Sequence, residues 1–194
     1  MTEEENTDRT ATGTGAQPAD IPGFWDWSMD AYGRPGAAEL LLRMQDDHDL
    51  DVNLVLWCLW AGHHFPPLDR KQAMSLFRQT GDWAARVTIP LRGVRRWLKG
   101  RDLPASTEAV NTLRNEVKAQ ELAGERISQE MLEGMTRVAA GNGAASADGP
   151  ETLFRLYLDH ARSLENGAEV SEDSPGEKPE ALFRQVTEII AAEE

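Results

Sequence analysis

The apolar positions of this chain return at helical spacing. Order is expected from Ile21 and Pro22, where residues 24–29, FWDWSM, read as a short helix stopped near Gly33 and Pro35. Ala37, Leu40, Leu41 and Met44 then recur at three and four, one face of a second helix. Asp51 stands as the N-cap of a third element, in which nine of the ten residues from 52 to 61 are apolar and Asn53 is the exception. A helix apolar on every side belongs in the middle of a bundle. Periodicity alone does not separate so short a run from a buried strand, and the helical neighbours on both sides favour helix. Gly62 and the pair Pro66-Pro67 are expected to end it.

Asp69 and Gln72 compose the capping box of a fourth helix, running through Met74, Leu76 and Phe77 to Gly81. Asp82 caps the next, where Trp83, Val87, Leu91, Val94 and Leu98 keep helical spacing across Pro90. Proline removes a backbone N–H and clashes with the preceding turn, so a kink or break is expected at Ile89-Pro90. Beyond a turn at Leu103-Pro104, Val110, Leu113, Val117, Gln120, Gly124, Ile127, Met131, Gly134 and Val138 follow a heptad seam. Its polar and glycine interruptions predict two antiparallel helices joined near Gly124 rather than one long coiled coil.

Two more amphipathic pieces follow, one holding Phe154, Tyr157, Leu158 and Ala161, the other Leu182, Phe183, Val186, Ile189 and Ile190. The acidic stretch between them has the composition of a disordered segment. The expected fold is all-α, a compact bundle of about five to seven helices. It divides into a disordered tail over 1–20, a helical core over 21–139, a flexible linker over 140–149 and an acidic tail over 150–194. The two short helices of that tail are expected to be loosely attached.

The net charge of −13 is concentrated at the ends. Residues 1–20 hold five acids and one Arg, residues 141–194 hold twelve acids and four bases, and residues 21–140 hold sixteen acids against fifteen bases. Phosphates need neutralising by Lys and Arg, so this layout disfavours nucleic acid as a partner. It equally disfavours an anionic membrane surface. The longest apolar run, residues 54–61, is far short of the ~20 residues a membrane helix needs. The N-terminal residues lack the basic and apolar regions of a signal peptide. With Cys58 as the only cysteine, no internal disulfide is expected, and a cytoplasmic location follows.

No motif here carries catalysis. His63 and His64 are adjacent, and adjacent helical residues point about 100° apart, which suits no shared ion. No pair of cysteines or histidines has zinc-ligand spacing. Cys58 lies in an apolar run with no basic neighbour, a setting that makes a thiol inert. Asp46, Asp47, Asp49 and Asp51 lack the glycine and closing Glu of a calcium loop. No cofactor and no metal is called for. The one polar cluster that suggests a pocket is Asp26, Asp30, Asp51, Asn53 and His63, among the first three helices.

Residues 86–101 carry six basic side chains and no acid, whereas residues 26–51 carry seven acids and two bases. Charge complementarity inside the bundle accounts for the basic face without nucleic acid. Asn53, alone among apolar neighbours, is expected to bond another element, either the first helix near residues 25–30 or the basic face near 92–96, because an unsatisfied buried amide is costly.

FWDWSMDAYG, AAELLLRMQDDHDLDVNLVLWCLWAG and the spacing of Trp83, Val87, Arg92, Arg95, Arg96, Leu98 and Lys99 give residues 21–135 a resemblance to a family. It resembles a family of small proteobacterial proteins known only as a domain of unknown function. The resemblance implies a bacterial, cytoplasmic protein and transfers no site residues. Two functions are left in view. One is a non-enzymatic interaction or adaptor module that binds another protein. The other is a small-molecule or metal-binding enzyme built on the polar cluster.

Overall fold

The computed structural model describes residues 21–101, 105–140, 145–164 and 177–192. They form α1 (Phe24–Gly33), α2 (Ala37–His48), α3 (Val52–His64), α4 (Arg70–Trp83), α5 (Ile89–Leu98), α6 (Thr107–Ala139), α7 (Gly149–Leu164) and α8 (Pro179–Ala191). A π turn, Ala84–Thr88, joins α4 to α5 without a break, so the described residues make seven separate helical rods and no strand. The all-α bundle expected from the spacing is the fold observed. No helix among the described residues is long and apolar enough to cross a membrane.

Helix α3 is the centre. Val55, Trp57, Cys58, Leu59 and Trp60 are all fully buried, with α1, α2, α6 and α7 packed round them. Burial on every side explains a helix with almost no polar face. Its N-terminus is closed by Asp51, whose Oδ1 accepts from the Asn53 N–H at 2.8 Å. The capping box of α4 is also formed, Asp69 and Gln72 each accepting from the other's backbone N–H at 2.8 Å. Helix α1 lacks a capping side chain of its own. Glu133 of α6 supplies one, accepting from the Phe24 N–H at 2.8 Å.

Four expectations are corrected. Gly62 does not end α3 but lies inside it, where its backbone meets that of Gly149 and Pro150 in α7. Gly81 and Asp82 do not separate two helices, and Asp82 bonds Arg86 one turn on at 2.9 Å instead of capping. The seam from 107 to 139 is one helix of 33 residues. A helical glycine costs only about 1 kcal/mol, and Gly124 is used for close approach. A Cβ there would sit 3.2 Å from Thr88 Cγ2, while its carbonyl accepts from Trp83 Nε1 at 2.9 Å.

The fourth correction concerns α7 and α8, which are not loosely attached. Leu153, Phe154, Tyr157 and Leu158 of α7 join Leu182, Phe183, Val186 and Ile190 of α8 in the same hydrophobic cluster as α3. Phe154 stacks on Phe183 at 4.0 Å between ring centres. Net charge along a segment says little about where its apolar stripe goes, and each of these stripes needed a partner surface. The tail read over 1–20, positions 141–144 of the linker and most of the acidic stretch between α7 and α8 lie outside the described residues.

Candidate interaction surface

Pro90 sets the geometry of the site. It has no N–H to give the Arg86 carbonyl, and its ring crowds that carbonyl in a regular helix. The chain answers with a π turn just before it and runs on through Pro90, so that of the kink or break expected there the break is overturned. A π turn holds one residue more than an α turn. One added residue rotates everything that follows by about 100°. Of the stripe Trp83, Val87, Leu91, Val94 and Leu98, Val94 alone is left exposed: Trp83 bonds Gly124 of α6, Val87 borders that glycine, Leu91 is half-buried and Leu98 is buried. Ala84 and Thr88 are buried beside them, and Arg92 and Arg95 reach α6.

Those inward guanidiniums meet carboxylates on α6. Arg92 donates to Glu121 at 3.1 Å and to Glu125 at 2.6 Å, and Arg95 holds both oxygens of Glu121. Burial pushes the Glu121 carboxyl upward, but the two guanidiniums outweigh it and hold the group below its ordinary value. The internal charge complement expected of the basic run holds for Arg92 and Arg95 only, and it comes from acids of α6 and not from the acidic residues 26–51. Arg96, Lys99 and Arg101 have no carboxylate partner among the described residues. Arg101 lies over the Trp97 ring, 5.4 Å from its centre.

The same network continues to Asn53. Its Nδ2 donates to Glu125 at 2.9 Å, and its Oδ1 accepts from Gln129 Nε2 at 2.7 Å. Gln129 Oε1 in turn accepts from Ser28 Oγ at 2.9 Å. Asn53 therefore bonds α6 directly, and reaches α1 through Gln129 and α5 through Glu125. Both elements expected as its partner are one link away. Neighbouring Asp51 is held above its ordinary pKa by burial, partly offset by the Asn53 N–H, and its own N–H donates to Tyr157 Oη at 2.7 Å.

Asn53→Leu should cost about 2 kcal/mol in denaturant unfolding, because Glu125 and Gln129 lose partners in a part-buried site. Asn53→Asp should cost more at neutral pH, since it sets a carboxylate against Glu125, and should recover part of the loss as pH falls and the new acid protonates. Equal stability of both variants and the wild-type chain would show that the network holds nothing together.

The other members of the sequence-derived cluster lie elsewhere. Asp26 and Asp30 are on the exposed side of α1, Asp30 paired with Arg34 at 3.1 Å, and His63 is in the last turn of α3. No hydrogen bond joins these three to Asp51 or Asn53 among the described residues. No group of three or more His, Cys, Asp or Glu could hold a metal ion among them either. Burial pushes the Cys58 thiol well up, in keeping with an inert core side chain.

What the inward guanidiniums leave outside is the apolar side of α5. Ile89, Val94 and Trp97 are 57%, 46% and 52% exposed, whereas the side chains of Arg92 and Arg95 are only 27% and 24% exposed. Ile89, Pro90, Gly93, Val94 and Trp97 fall at i, i+1, i+4, i+5 and i+8, one face of a helix. Helix α5 turns Arg92 and Arg95 inward beside Leu98 and leaves this apolar stripe outside. Of this face the sequence reading placed Val94 on the inward stripe, where the structure leaves it exposed, and Ile89 and Trp97 lie off that stripe.

Compared with known families, residues 23–132 match the model described as protein of unknown function (DUF2390). No curated protein matches the chain, and no solved structure does.

Proposed function

The chain therefore belongs to that family, and on that premise we propose that it is a non-enzymatic interaction module that presents the outer face of α5 to a partner protein. One observation carries the reading, the apolar stripe that α5 leaves exposed while Arg92 and Arg95 turn inward. A helix that only had to complete the bundle would bury Ile89, Val94 and Trp97 and leave its arginines in water. Here Arg92 and Arg95 are fixed inward by Glu121 and Glu125, and an apolar stripe with an exposed tryptophan faces out. Exposed apolar patches rimmed by polar residues mark interaction sites, and Trp and Arg are the side chains most enriched at their energetic centres. The network through Asn53 and Gln129 fixes α5, α6, α3 and α1 relative to one another, so the face is presented ready-formed.

A photoreactive residue placed at position 94 and, separately, at position 26 tests this in the native cell. Protein adducts are expected at 94 and not at 26, and they should disappear when Trp97→Ala is added. Equal labelling at both positions, or none at 94, would refute the interaction reading.

A further inference from the structure

We infer that the occupant of the α5 face is an amphipathic helix of the partner, whose apolar stripe is bordered by Asp and Glu. This rests on the interaction reading above and names the partner's chemistry. Three features of α5 support it. The rim is cationic: residues 86–101 contain no acid, and Arg96, Lys99 and Arg101 flank the stripe without carboxylate partners among the described residues. The charge that completes such a rim is negative, and an opposite-sign rim fixes both partner choice and register.

The second feature is Gly93, in the middle of the exposed stripe. A Cβ at that position would meet nothing within 4 Å, so packing inside the chain does not require glycine, and glycine weakens a helix interior. On the outer face it leaves a notch between Ile89 and Trp97 through which another helix can approach closely. The third is the shape of the stripe, anchors at i, i+1, i+4, i+5 and i+8, which suits side-by-side helix packing. A second copy of this chain is the poorer occupant. Two-fold pairing through α5 would set each cationic rim against its twin.

The probe is a fluorescein-labelled synthetic helix with a leucine stripe and glutamate flanks, titrated with the whole chain and followed by anisotropy. Its twin carries lysine flanks. The glutamate peptide is expected to bind at least tenfold more tightly than the twin, with the advantage shrinking severalfold as salt is raised, since exposed charges are screened. Trp97→Ala and Gly93→Leu should each weaken it about tenfold or more while the unfolding midpoint stays near that of the wild-type chain.

Equal binding of the two peptides, or binding indifferent to Trp97 and Gly93, overturns the inference. So does a Trp97-dependent dimer in sedimentation, which would make a second copy the occupant. Trp97-dependent binding to phosphatidylglycerol vesicles without peptide binding overturns it as well, in favour of a lipid surface. If the peptides fail while crosslinks at position 94 persist, the partner is a protein of other chemistry and the interaction reading stands.

Discussion

Gly62→Ala is expected to destabilise the protein by about 3 kcal/mol, the upper part of the range for overpacking. The sign is the informative part. In an ordinary helix interior, replacing glycine by alanine stabilises, by up to ~1 kcal/mol. At 62 the added Cβ would stand 2.6 Å from the carbonyl carbon of Gly149 and from Pro150 Cα, and closer still to Pro150 N. These are backbone atoms at the start of α7, not the end of a side chain that can swing away. To admit the methyl, α7 must move off α3, and with it go Leu153, Phe154, Tyr157 and Leu158 from the cluster. Gly149 faces Gly62 in the same way, its own virtual Cβ lying 3.1 Å from Gly62 C and Cα. Gly81 and Gly134 provide the comparison, for a Cβ at either meets nothing within 4 Å. Urea unfolding should place Gly81→Ala and Gly134→Ala at or above the wild-type midpoint and Gly62→Ala far below it. A Gly62→Ala midpoint at or above wild type would mean that α7 is not seated on α3 as described.

That contact also shows where the sequence was legible and where it was not. A helix with one apolar face and a helix apolar all round were both readable: α2 buries Ala37, Leu41 and Met44, and α3 buries nearly everything. Caps were readable as well, because Asp51 and Asp69 act within three residues of their own positions. Glycines were not. Gly62 and Gly124 look like helix stops in a linear reading, yet each marks a place where another backbone or a π turn comes close, and nothing nearby in sequence announces that neighbour. The inward face of α6 escaped for a related reason. It buries Glu121, Ser128, Gln129 and Thr136, while Leu113, Leu122, Ile127 and Val138 stay exposed. An apolar count assigns that helix the wrong side, because Glu121, Gln129 and Thr136 are satisfied by residues at least 25 positions away or by the helix's own backbone, as Thr136 Oγ1 is by Leu132 O. The α5 face escaped because Ile89 and Trp97 lie off the stripe that helical spacing picks out. Of the candidate site, Asn53 could be singled out as anomalous from sequence, but its partners could not.

Trp57→Ala should lower stability by about 3–5 kcal/mol, the usual cost of emptying a buried aromatic site. For a domain of ordinary stability, about 5–15 kcal/mol, that is a large share of the total. Trp57 is fully buried on α3, its ring edge-on to Phe77 of α4 with centres 5.6 Å apart. Its Nε1 donates to Thr136 Oγ1 of α6 at 2.8 Å. One side chain thus ties three helices by packing and by a hydrogen bond, and Trp57→Phe separates the two contributions. Phenylalanine keeps most of the apolar contact and gives up the N–H. Thr136 is not stranded by that loss, since its hydroxyl still donates to Leu132 O at 2.7 Å. The hydrogen bond itself is then worth about 1 kcal/mol, and the smaller ring adds a modest packing loss. The expected order of denaturant midpoints is wild type, then Trp57→Phe, then Trp57→Ala by a wide margin. If the phenylalanine variant fell as far as the alanine one, the hydrogen bond across to α6 would outrank packing at this position. If both stayed within about 1 kcal/mol of wild type, α3 would not be the core on which α5 and α6 are mounted, and the rigid presentation of the α5 face would lose its foundation.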